Sequence, residues 1–103
     1  MRIDVNGRAW RIKEVEPLSG MLLVEGNRCC GAAHYCEQII CLSSDMDGTK
    51  RSATLFHELS HAFIHETQIE RKEAYTEEEM CSFVGMYAGR MAEIVAEYMK
   101  GKK

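Results

Sequence analysis

The sequence predicts an α+β fold, a small antiparallel or mixed sheet of three to four strands packed on two consecutive helices, the second longer than the first. Three observations predict it. Asn6-Gly7 separates two stretches of alternating polarity, with Ile3 and Val5 before it and Ala9, Trp10 and Ile12 after it. An Asn-Gly pair readily takes the positive φ values that a two-residue hairpin turn demands. The run Ile39, Ile40, Cys41 and Leu42 is apolar at every position, the pattern of a strand covered on both faces. From about Thr49 onward the apolar residues recur at three- and four-residue spacing, the period of a helix.

Taken in order, the first hairpin extends to Pro17, and Leu18 to Gly31 is a less regular connection containing three glycines. Within it Met21 to Val24 fits either a strand or a helical turn. Ala33 to Leu42 reads as one strand. The stretch SSDMDGTK is a loop; its D-x-D-G fragment lacks the further acidic positions of a calcium loop and is read as a turn. The first helix is expected over Thr49 to Glu66 and the second over Glu77 to Lys100, with Gly101 as stop signal.

Composition narrows the function classes. At 103 residues the chain is expected to form a single domain spanning 1–103, with no room for a second. Hydrophobic content of 46% with 28% charged residues is that of a globular core with a solvated surface. No apolar run approaches the length needed to cross a bilayer, and MRIDVNGRAW has no hydrophobic signal core, so a cytoplasmic location is expected. A net charge of −3 argues against a direct nucleic-acid surface, and the basic residues Lys100, Lys102 and Lys103 read as a solvated end. Five cysteines, an odd number, fit a reducing compartment. Cys29, Cys30, Cys36 and Cys41 cluster around His34 without any C-x-x-C spacing, which reads against a cysteine zinc site. Cys36 and Cys41 are expected as small strand residues.

The chemistry is concentrated in TLFHELSHAFIHE, residues 54–66. Residues four apart on a helix lie one turn above each other, so His57 and His61 can aim two ring nitrogens at one divalent ion. Glu58 lies about 100° around the helix from His57. There it borders such a site and can act as general base toward an activated water. The bland alternative is an amphipathic helix that happens to be rich in His and Glu. Leu55, Leu59, Ala62 and Phe63 give that helix an apolar side, and imidazoles against a packed core need a proton, a hydrogen bond or a metal. His65, a turn further on, is expected at the rim.

A third protein ligand has to come from elsewhere, and TEEEM at the start of the second helix offers Glu77, Glu78 and Glu79. Thr76 and Glu79 fit a T-x-x-E capping box, which gives Glu79 a structural task. Placing the apolar stripe at Cys81, Val84, Gly85, Ala88, Met91, Ala92 and Val95 puts Glu78 on its edge, facing the first helix. Glu77 occupies the frayed first turn. Glu78 is therefore the preferred ligand, with Glu77 and Glu79 as alternatives, and Gly85 and Gly89 are expected to allow close packing of the two helices.

The order of parts and the motifs T-L-x-H-E-L-x-H-A and Glu78-x-x-Cys81-Ser82-x-Val84 resemble the small zinc metallopeptidases of the ImmA/IrrE type, frequent in bacteria, phages and mobile elements. The resemblance covers about Ile12 to Val95. It implies a minimal zincin-like fold, zinc (Zn²⁺) held by His57, His61 and Glu78, and Glu58 as the catalytic base. It also implies a protein or peptide substrate, helix-turn-helix transcription repressors being the class such enzymes cut. Tyr75, just before the second helix, is the one candidate for stabilising the developing oxyanion. The alternative class is a catalytically inactive module of the same fold that docks a regulatory protein.

Overall fold

A computed structural model describes residues 1–67 and 75–101. Strands β1 (Arg2–Val5) and β2 (Arg8–Val15) form the expected antiparallel hairpin, with Ile3 opposite Trp10. Its turn places Asn6 at φ 49° and Gly7 at φ 91°, the left-handed region that this residue pair tolerates. A single 3₁₀ turn, Gly20–Leu22, follows and leads into a minimal hairpin of β3 (Leu23–Val24) and β4 (Asn27–Arg28). Strands β5 (Gly31–His34) and β6 (Ile39–Ser43) complete the main sheet, whose order is β1-β2-β6-β5. The β2–β6 pair is parallel and the other two are antiparallel.

The single strand expected over residues 33–42 is therefore two strands. Residues 35–38 are Tyr-Cys-Glu-Gln, and Gln38 takes φ 57° to reverse the chain between them. Cys36 is exposed in this turn, not in a strand, whereas Cys41 is buried in β6. As a central strand, β6 is buried at every position.

Helix α1 (Gly48–Thr67) begins where the Asp47 carboxylate accepts from the Lys50 amide at 2.9 Å, an N-cap supplied by the predicted loop. Helix α2 (Glu77–Lys100) opens on the predicted capping box. The Thr76 hydroxyl accepts from the Glu79 amide at 3.1 Å, and the Glu79 carboxylate accepts from the Thr76 amide at 3.2 Å. One face of the sheet, carrying Trp10, Ile12, Ile40 and Leu42, packs on Leu55, Leu59 and Phe63 of α1 and on Met91 and Ile94 of α2. Each of these large side chains contributes roughly 1.5–3 kcal/mol by leaving water. The opposite face is covered more thinly, by Leu22 of the 3₁₀ turn against Ile39 and Cys41.

Polar ties fasten the helices to the sheet. Trp10 Nε1 donates to Glu66 Oε2 at 2.8 Å, and Tyr98 donates its hydroxyl to Glu14 Oε2 at 2.8 Å. Burial holds the Tyr98 phenol above its ordinary pKa, a shift that the nearby Arg51 charge partly offsets.

The packed face of α2 differs from the predicted stripe. Met91, Ile94 and Tyr98 are buried, with Phe83 and Tyr87 packed against the core, while Cys81, Val84, Gly85 and Ala92 are exposed. The face is turned by about one residue, roughly 100°, because the aromatic positions carry the packing. A Cβ at Gly85 or Gly89 would meet nothing within 4 Å, so neither glycine serves the helix contact assigned to it from the sequence. Among the described residues, no helix is long and apolar enough to cross a membrane.

Candidate metal centre

Helix α1 crosses the sheet beside its edge strand β5. Close passage there depends on Gly31: a Cβ at that position would stand 2.7 Å from Thr54 Cγ2 and 3.1 Å from Glu58 Cγ. The first separation is too short for two carbon atoms and the second is tight. The missing side chain lets the second and third turns of α1 lie against β5 and fixes where Glu58 sits.

His57 and His61 point their rings to the same place. Their Nε2 atoms are 3.2 Å apart, with the ring planes at 77°. Two imidazoles at the usual zinc–nitrogen bond length of about 2.0–2.1 Å and a tetrahedral angle have their nitrogens about 3.3 Å apart. The observed separation fits two ligands of one tetrahedral ion. It equally allows one neutral ring to donate its N–H to the other.

Glu58 occupies a core-side position of α1, between Leu55 and Leu59, and is only 7% exposed. No hydrogen bond reaches its carboxylate from any described residue. Burial pushes its pKa up, and His57, His61 and His34 pull it partly back. A buried carboxylate of this kind is costly unless it has work at a site. Its open side faces a cleft of about 540 Å³ lined by His34, His57, Glu58 and His61, by the β5 backbone, and by Leu23, Val24, Glu25 and Cys29 of the β3–β4 region.

Glu78, by contrast, is not brought to the histidines. It is exposed on the first turn of α2 and lines a separate depression with Thr67, Glu79, Ser82 and Phe83. The turned packing face explains this. Measured from the centre of the Phe83–Tyr87–Met91 side, Glu78 lies roughly 180° around the helix, not at the edge. Glu79 is held in its capping box, and Glu77 is exposed beside it. Among the described residues, no group of three or more His, Cys, Asp or Glu side chains is gathered as a metal cage.

His65 stacks on Tyr35, with ring centroids 4.5 Å apart, and Tyr35 itself lines the cleft, so His65 stands behind the rim. Tyr75 is not among the cleft residues. His34 is one residue that sequence reasoning set aside. Its Nε2–H donates to the Met21 carbonyl at 2.8 Å, which anchors the ring at the cleft wall. The signal for it is its place at the end of an edge strand, which a continuous strand over residues 33–42 conceals. Leu23, Val24 and Gly31 carried no local chemical signal at all.

Comparison with known proteins gives no matching family model, no matching curated protein and no matching solved structure.

Proposed function

We propose that this chain is a zinc-dependent peptidase of the ImmA/IrrE type, cutting a peptide bond in a protein substrate. The observation that carries the reading is the convergence of the His57 and His61 Nε2 atoms at 3.2 Å beside the largely buried Glu58, whose side chain lines the same cleft.

His57 and His61 would hold Zn²⁺. The third protein ligand is assigned to Glu78 by the family resemblance, although the described fold carries it on a depression separate from the histidine cleft. When bound, the ion supplies Lewis acidity, polarising a carbonyl and making water nucleophilic near neutral pH. Glu58 removes a proton from the attacking water and delivers it to the leaving amine nitrogen. The edge of β5 aligns the peptide backbone beside Glu58. A helix-turn-helix repressor in a cytoplasmic setting is the substrate class that the family resemblance favours.

Zinc content measured after dialysis tests the site. Wild type is expected to retain one zinc per chain, His61→Ala none, and Glu78→Ala to bind more weakly. Equal content in wild type and His61→Ala ends the proposal. Retention unchanged in Glu78→Ala removes only the third-ligand assignment. The exposed position of Glu78 in a separate depression favours one competing reading, a docking module of the same fold without catalysis. Glu58→Gln separates the two: it abolishes cleavage of a degenerate peptide library in a peptidase and leaves a docking module's binding intact.

A further inference from the structure

The register of the sheet shows which backbone groups of β5 point away from β6. The Ser43 amide donates to the Cys30 carbonyl at 2.8 Å, and Ala32 is opposite Cys41 and His34 opposite Ile39. In an antiparallel pair, hydrogen-bonded and non-hydrogen-bonded positions alternate. Residues 30, 32 and 34 therefore bond to β6, and Gly31 and Ala33 turn their N–H and C=O groups outward at the sheet edge. Among the described residues, no other strand lies beyond β5.

Side chains on β5 alternate between the two faces. Gly31 faces α1, as its approach to Thr54 and Glu58 shows. Ala32 and His34 face the other side, where His34 bonds to the Met21 carbonyl of the 3₁₀ turn. Residues opposite each other in neighbouring strands share a face. A segment added along β5 would thus present alternate side chains to α1 and to the side of the 3₁₀ turn and the β3–β4 hairpin that continues from it.

That second wall is aliphatic and uncovered. Leu23 and Val24 both line the cleft and are 46% and 41% exposed. Their hairpin is a fixed part of the wall: the Cys29 amide donates to the Leu22 carbonyl at 2.8 Å, and Arg28 Nη1 donates to the Ser19 carbonyl at 2.7 Å. The turn is held by two residues at positive φ, Glu25 and Gly26.

From this arrangement we infer that the β3–β4 hairpin is the specificity element of the cleft. It selects an extended peptide segment that pairs with Gly31 and Ala33 and seats an aliphatic side chain, at alternate positions, against Leu23 and Val24. The inference rests on the reading of this cleft as the substrate cleft of the proposed peptidase, but it concerns binding and needs no metal.

The test uses the full chain in the presence of a chelator. The probes are two capped octapeptides, one alternating leucine and lysine and one with serine replacing each leucine. Wild type is expected to bind the leucine peptide at least about tenfold more tightly, the effect of roughly 1.4 kcal/mol of discrimination. Hydrogen exchange at the Gly31 and Ala33 amides should slow when it binds. Leu23→Asp with Val24→Asp should erase the preference. Ala33→Pro, which removes only an outward-facing donor at a strand edge, should weaken both peptides.

Equal binding of the two peptides, or unchanged exchange at Gly31 and Ala33 on saturation, overturns the inference, and the exchange measurement needs no variant to fold. Because zinc is absent throughout, that failure leaves the zinc-content result standing, and loss of zinc binding leaves this one standing.

Discussion

The middle of α1 and the first half of α2 both set acidic residues among apolar ones, yet only α1 turns its carboxylate and histidines into one cleft. On α1, Leu55, Leu59, Ala62 and Phe63 are all buried, and the side next to β5 is pressed close by Gly31. With the backbone held on two sides, Glu58 is buried against the core while the exposed His57 and His61 rings meet at the cleft beside it. On α2 the packing starts late. Met80, Val84 and Met86 are exposed and the firmly buried positions begin at Met91. Its glutamates are thus carried on a turn fixed chiefly by the capping box. The difference teaches that a ligand's direction is set by what packs behind its helix, not by its distance along the sequence from a partner.

The largest effect that can break this comparison is chemical. Glu58→Gln is expected to lower the rate of peptide cleavage by about 10²–10⁴-fold while zinc content stays at the wild-type level. An equal fall on Glu79→Gln would place the working carboxylate on α2 instead. Next comes core stability. Leu59→Ala should lower the free energy of unfolding by roughly 2–5 kcal/mol, whereas Val84→Ala should stay within about 0.5 kcal/mol of wild type, both read from urea denaturation.

The glycines sharpen the contrast. Gly31→Ala should cost about 1–3 kcal/mol by overpacking against Thr54 and Glu58, and Thr54→Ser should recover part of that loss by removing the methyl it meets. Gly89→Ala should instead stabilise by up to about 1 kcal/mol through helix propensity. Thermal midpoints of the three variants check the signs.

The smallest effect belongs to Tyr98, where α2 does become firm. Its folded pKa lies above the ordinary value of 10.0, so the neutral phenol is favoured by folding. That contribution is fully present below pH 10 and is lost as pH rises through the folded value. Tyr98→Phe should flatten this alkaline loss in a series of denaturation curves at rising pH, at the cost of the hydrogen bond to Glu14.

Much of the frame was legible because its signals are local. Asn6-Gly7 specifies its own turn, Thr76 and Glu79 their own cap, and the histidine spacing its own face of α1. The parts that were not legible depend on tertiary contact. Polar residues 35–38 gave no strong breaker dipeptide, so the β5–β6 reversal was missed and with it the open edge. The α2 stripe was misplaced because Phe83, Tyr87 and Tyr98, which are large and amphipathic, carry the packing in place of the small residues beside them. That one-residue error moved Glu78 from the back of the helix to its edge. Gly31 looked like a loop glycine, and only the passage of α1 reveals its use.

The central claim is that the His57 and His61 nitrogens converge for a metal ion and not merely for each other. Anomalous diffraction at the zinc absorption edge, from crystals grown with equimolar zinc, measures this directly. The account predicts one peak bridging both Nε2 atoms at about 2.0–2.1 Å from each, with the Glu58 carboxylate beside it. Two rings still in direct nitrogen-to-nitrogen contact, with zinc elsewhere or nowhere, would contradict it.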